Sequence, residues 1–171
     1  MELETHIQRI KQLAAQRADE NWEFRGFLKA SPVSSKKLDA AFLRHYQEVA
    51  AAFDCTACGN CCREALPELT PLDVKRLTAG LNLAEEQVHQ RYLQAGEEPN
   101  STTFKARPCP FLSDHKCMVY DLRPDACRSY PHLHQPDRVF SLTGIVANYS
   151  ICPIVFNVFE RLKKELWKRL P

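Results

Sequence analysis

The sequence predicts a mostly α-helical protein, a single compact metal-centred domain built round an irregular cysteine-rich centre with a small β-hairpin. Three observations lead there. Apolar residues recur at three- and four-residue steps over several long stretches, the spacing that gives a helix one buried face. Seven of the eight cysteines (55, 58, 61, 62 and 109, 117, 127) fall instead in two groups at turn-like positions beside glycine or proline, with Cys152 apart. Two short apolar runs, each next to a cysteine, flank the polar stretch Ser113 to Lys116, which is the pattern of a hairpin.

Leu3, Ile7, Ile10, Leu13 and Ala14 share one face and predict a helix over residues 2–19. Asn21 to Pro32 mixes aromatic and polar residues without a period and is expected to connect, holding at most a short turn. Ser34 or Ser35 caps a second helix, in which Leu38, Phe42, Leu43, Tyr46, Val49 and Phe53 lie on one side. It is expected to run into Cys55 as a rigid support for the first thiols. Thr70-Pro71-Leu72-Asp73 starts another: threonine caps, proline takes the first turn, and the acid meets the positive end of the helix dipole. That helix should stop at Gly80. Asn82 with Glu85 opens the next, carrying Leu83, Val88 and Tyr92 and ending near Gly96, before a polar loop from Glu97 to Thr103.

The hairpin follows, with Cys109 and Cys117 on its arms; Asp121 to Arg128 reads as a short helical turn with Pro124 early in it. Pro131 and Pro136 keep the chain irregular, and Val139 to Tyr149 has no period, so it reads as loop or short strand. Cys152-Pro153 opens the last helix, whose Val155, Val158, Phe159, Leu162, Leu166 and Leu170 make one apolar stripe. At 171 residues the expectation is one domain: a cysteine core over 53–153, flanked by supporting helices over 1–52 and 154–171.

Composition removes several classes of function. Hydrophobic residues at 44% and charged residues at 26% are ordinary for a globular chain, and a formal charge of +2 lacks the basic excess of a nucleic-acid binder. Lys163, Lys164, Lys168 and Arg169 form a basic patch on the last helix that reads as a solvated face. No apolar run approaches the roughly 20 residues of a membrane span. The start, Met1-Glu-Leu-Glu-Thr-His, has neither the basic nor the apolar part of a secretory signal. A cytoplasmic chain is therefore expected, where thiols stay reduced and eight cysteines point to metal or redox chemistry.

The strongest signal is Cys55-Thr-Ala-Cys58-Gly-Asn-Cys61-Cys62, four thiols within eight residues. A CxxC turn lets two sulfurs meet one ion: with Zn–S near 2.3 Å, tetrahedral geometry holds them roughly 3.8 Å apart. Gly59 and Asn60 tolerate the left-handed backbone needed to curl round it. Read as extended neighbours, Cys61 and Cys62 point apart, so either two sites take one each or one cluster takes one with the other beside it. Cys55, Cys58 and Cys61 have the spacing with which ferredoxins hold three corners of a [4Fe–4S] cluster, and Cys109-Pro110 or Cys152-Pro153 offers the Cys-Pro corner. Zinc accepts four thiolates equally well, and soft donors select zinc or iron–sulfur over magnesium, calcium or manganese.

Four thiolates round Zn²⁺ leave a net charge of about −2, which calls for cations or N–H donors. Arg63, Arg107, Arg123 and Arg128 all lie near cysteines, and Arg123 and Arg128, which bracket Pro124 and Cys127, are the ones assigned that supporting role. His115 reads as a solvated hairpin histidine; His132 and His134 are weaker imidazole candidates, and Tyr120, Asp121 and Tyr130 either line a pocket or pack. No GxSxG, Walker, GxGxxG or HExxH motif is present.

CTACGNCC followed by PCPFLSDHKCMVYDLRPDACRSYP closely resembles the bacterial CxxCxxCC family of zinc- or iron-chelating proteins. The likeness runs from Phe53 to Pro131 with Cys152-Pro153 as its last element. It implies a small cysteine-rich metal-binding domain in which Cys55, Cys58, Cys61, Cys62, Cys109, Cys117, Cys127 and Cys152 are the metal-associated positions, supported by Arg123 and Arg128. Some relatives carry a flagellin lysine N-methylase label, which implies iron–sulfur-linked methyl transfer; no glycine-rich loop of the adenosylmethionine type accompanies it here. Three functions follow as expectations: a zinc or iron protein whose ion is structural or stored, an iron–sulfur enzyme or redox protein with a working thiol at Cys61 or Cys62, and a zinc-stabilised module docking a protein partner through the basic last helix.

Overall fold

The computed structural model describes residues 2–97 and 99–167. The helices are α1 (Ile7–Gln16), α2 (Ala18–Ala30), α3 (Ser35–Ala50), α4 (Cys55–Cys58), α5 (Asn60–Glu64), α6 (Pro71–Leu81), α7 (Glu85–Tyr92), α8 (Asp125–Ser129), α9 (Leu142–Asn148) and α10 (Pro153–Leu166). The strands are β1 (Glu68–Leu69), β2 (Leu93–Ala95), β3 (Thr102–Phe104), β4 (Leu112–Ser113) and β5 (Lys116–Cys117), and 3₁₀ turns form at Tyr120–Leu122 and Arg138–Phe140. The fold is mostly helical, as the periodicity predicts. The chain folds as two compact units: a helical unit drawn from residues up to Asp54 and from Pro131 onward, and a cysteine unit, Cys55–Tyr130.

In the helical unit, Ser34 Oγ accepts the Lys37 N–H at 3.4 Å and starts α3, while Pro153 opens α10 behind Cys152. Helix α10 packs on α3 and buries Ile154, Val155, Phe156, Val158, Phe159 and Leu162. Phe159 meets Phe24 edge-on at 5.1 Å, and Tyr149 packs on Phe156 at 4.8 Å. Among the described residues, the buried lysine of this core is paired. Lys163, 6% exposed, donates to Glu160 at 2.9 Å and Glu20 at 3.1 Å, and the Tyr149 hydroxyl donates to Glu160 at 2.7 Å. An unpaired ammonium there would cost several kcal/mol.

Several expectations change. The first helix is shorter than 2–19 and bends at Arg17 into α2, where a connector was expected. Helix α2 lacks a clean stripe, yet Phe24 and Leu28 are buried, so tertiary contact supplies what periodicity does not. Residues 139–149 likewise hold α9 rather than loop or strand. Lys163 is buried rather than part of a solvated face; Lys168, Arg169 and Leu170 lie outside the described residues. No single described helix is long and apolar enough to cross a membrane.

The cysteine unit has its own core of Leu69, Val74, Leu77, Val88, Leu93, Phe104, Phe111 and Val119, against which Cys109 and Cys117 pack. Helices α6 and α7 adjoin an antiparallel sheet of order β1-β3-β2, registered by Leu69↔Thr102 and Leu93↔Phe104. The expected helix forms as α7 but stops at Tyr92, so β2 takes the residues expected to carry it on to Gly96, and β3 takes the end of the polar loop expected over 97–103. Helix α6 begins at the expected Thr70 cap but ends at Asn82, which takes the left-handed conformation (φ 52°), rather than at Gly80. Gly80 is small for another reason: a Cβ there would stand 2.2 Å from Leu122 Cδ1, so its absence lets the 3₁₀ turn seat on α6.

Candidate metal centre

The first thiol group is helical rather than extended. Gly59, at φ 57°, splits it into α4 carrying Cys55 and Cys58, and α5 carrying Cys61 and Cys62. On a helix, adjacent side chains diverge by about 100° instead of pointing to opposite faces, so extended-strand alternation does not separate Cys61 from Cys62.

Three contacts seat this segment on the second group. The Cys109 N–H donates to the Cys62 carbonyl at 2.7 Å, a direct backbone tie between the two groups. Arg63 donates from Nη2 to the Asp114 carbonyl at 2.7 Å and from Nη1 to the Cys58 carbonyl at 3.3 Å, stitching α4 to the tip of the hairpin. At Gly59 the backbone comes so near that hairpin that a Cβ would stand 2.8 Å from the His115 carbonyl oxygen. The hairpin itself is registered Leu112↔Cys117, and the Cys127 N–H on α8 donates to the Pro124 carbonyl at 2.9 Å.

None of the eight cysteines is joined in a disulfide. Four, drawn from four segments, form one electrostatic group. Burial pushes the Cys127 thiol up to about 12, with Cys62, Cys109 and Cys117 adding to it and Arg123 opposing. Burial pushes Cys109 up to about 11, again helped by Cys62 and Cys117, and raises Cys117 as well. Cys62 goes the other way, down to about 7: a thiol hydrogen bond with Cys61 outweighs burial, and Arg123 and Arg63 lend positive field. Four cysteine sulfurs are, by donor type, the set that zinc and iron–sulfur clusters share. Among the described residues no group of three or more His, Cys, Asp or Glu side chains is placed so that it could hold a metal ion. Thiols that hold their protons are neutral and do not repel one another; an ion closes the group only as the protons leave and its positive charge offsets the thiolates.

The other expected site residues are distributed unevenly. Cys55 is exposed on α4, which packs against β5, and Cys58 and Cys61 are half-buried. Cys152 is buried in the helical unit at the head of α10, its N–H donating to the Asn148 carbonyl at 2.9 Å. His132 and His134 also belong to the helical unit, where His134 packs on Tyr46 at 5.7 Å. His115 is exposed, with Nδ1 3.4 Å from the Cys58 carbonyl oxygen.

Arg123 lies with its guanidinium 3.5 Å from the Tyr120 ring centroid, and its field reaches Cys62, Cys117 and Cys127. Arg128 turns back on its own loop, donating to the Arg123 carbonyl at 2.9 Å and to the Asp121 carbonyl, so it shapes the loop through the backbone. Sequence reasoning named Arg63 among the arginines near cysteines but gave the supporting role to Arg123 and Arg128; the contacts of Arg63 with the hairpin tip are visible only in the structure.

The fold is a small helical and β scaffold carrying clustered cysteines, the soft donor type that suits zinc and iron. Residues 54–153, more than half of the chain, match the CxxCxxCC family, described as "Putative zinc- or iron-chelating domain". The chain belongs to that family. No curated protein and no solved structure matches it.

Proposed function

We propose that the chain binds zinc or iron through Cys62, Cys109, Cys117 and Cys127, and that the ion holds the Cys55–Tyr130 unit together. What supports this is the backbone tie of Cys109 to Cys62 at 2.7 Å and the packing of Cys109 and Cys117 on one core, with the thiols of these three and of Cys127 influencing one another's protonation. Each segment is short, and the apolar core beside them is small. An ion bound by all four would contribute its binding free energy directly to folding, because the unfolded chain cannot assemble the same site. Cys55 and Cys58, on the adjoining α4, supply further thiols at the rim.

Metal analysis of freshly and anaerobically purified protein tests this. Near-stoichiometric zinc in a colourless protein without acid-labile sulfide supports a single structural ion. Protein that carries no zinc or iron, and whose stability does not change with chelator, overturns the proposal.

One feature favours an iron–sulfur redox or enzymatic role, for instance of a methyl-transfer type: Cys61 adds a fifth sulfur beside the four and lowers the Cys62 thiol to about 7. Visible absorption with acid-labile sulfide equal to iron would support that role over the structural ion.

A further inference from the structure

We propose that Asp73 and Arg76 on α6 are positioning residues for the thiol centre, because together they anchor the start of α8 and so set the place of Cys127. The inference rests on the metal-binding reading above and adds residues that carry no sulfur and lie about 50 positions from the thiol they place.

Helix α8 has five residues, far below the roughly 12–15 that a helix needs to persist unaided. Its position must come from outside. The Asp125 N–H, in its first turn, donates to Asp73 Oδ1 at 3.0 Å. Arg76 Nη2 donates to the Arg123 carbonyl at 3.1 Å and to Asp125 Oδ1 at 2.8 Å, and pairs with Asp73 Oδ1 as well. The backbone on both sides of Pro124 is thus pinned to α6, and Cys127 follows two residues later with its N–H on the Pro124 carbonyl.

Asp73 is fully buried, and its two oxygens divide the work. Oδ2 accepts the Thr70 N–H and hydroxyl, both at 2.8 Å, and closes the cap of α6. Oδ1 is not needed for that cap and is given to α8 and Arg76. Asp73→Asn therefore separates the two roles. An asparagine oxygen can keep the cap, while its NH₂ would face the Asp125 N–H and the Arg76 guanidinium, donor against donors.

The test uses the full chain, stripped of metal and titrated with zinc(II) in competition with a chelator and with cobalt(II), whose sulfur-to-metal charge-transfer absorption reports thiolate ligation. Asp73→Asn and Arg76→Met are expected to bind zinc at least about tenfold more weakly. They should also show a weakened or shifted cobalt band while keeping wild-type helix content. Arg76→Lys, which keeps the charge but loses the fork, should fall between. Val88→Ala, a core truncation away from α8, controls for stability alone. Wild-type affinity and spectrum in both clamp variants, or an equal loss in Val88→Ala, would overturn the proposal. A wild-type chain that takes up neither ion would instead overturn the metal reading on which it rests.

Discussion

Gly59 shows how much can hang on one missing side chain. Its backbone sits at φ 57°, where an L-residue is penalised by roughly 1–2 kcal/mol, and a Cβ would also press on the His115 carbonyl at 2.8 Å. Gly59→Ala is therefore expected to cost at least about 1 kcal/mol, read as a lower denaturant midpoint. Because the strain falls between the two thiol segments, zinc affinity should drop with it. A variant with unchanged midpoint and affinity would show that α4 and the hairpin tip are not held as close as described. The role of Gly59 was legible in the sequence, since Gly-Asn between cysteines signals a left-handed turn. Gly80 was misread: it permits the approach of Leu122 rather than ending a helix, and no local pattern announces a neighbour 42 positions away.

At the scale of elements, caps were readable and contacts between elements were not. Thr70 and Asp73 form the reciprocal cap that the T-P-x-D pattern predicts. Thr70→Ala should destabilise the protein by about 1 kcal/mol, measurable by urea unfolding. The pairing of α3 with α10 includes a tie of the second kind, Glu165 held by Arg44 at 2.5 Å and by His45 at 2.6 Å. The Arg44 hydrogen bond is the chief reason that the Glu165 carboxyl lies below its usual range, with burial opposing and His45 assisting. A depressed carboxyl contributes stability above the unfolded value of about 4.3 and loses it as pH falls through the folded value. Glu165 is about a third exposed, so solvent screening keeps the effect below about 1 kcal/mol. Glu165→Gln should thus lower the urea midpoint slightly at pH 7, and the difference should close towards pH 3. A gap that widened on acidification would contradict the assignment. Helices α2 and α9 and the strands β1 to β3 escaped the sequence reading because they are short or aperiodic and owe their form to burial.

For the whole molecule, division into two units predicts unequal dependence on metal. The helical unit has a core rich in phenylalanine and long helices, whereas the cysteine unit combines a small core with helices of four and five residues around the thiols. Removing the ion with a chelator should raise amide hydrogen exchange across Cys55–Tyr130 while α3 and α10 keep their protection. Loss of protection in both units at once would show that they unfold as one, and unchanged exchange everywhere would remove the structural role of the ion.

Sequence by itself determined the chemistry: the kind of donor, its clustering at turns, the exclusion of hard metals and the membership in a chelating family. Those follow from residue type and short spacing, which a linear chain displays openly. Only the tertiary structure decided that Cys62, Cys109, Cys117 and Cys127 act on one another's protonation, and that α6 holds the start of the helix carrying Cys127. The reason is physical. Burial and electrostatic coupling depend on distances through space, and those are settled when separate segments pack, not by their order along the chain.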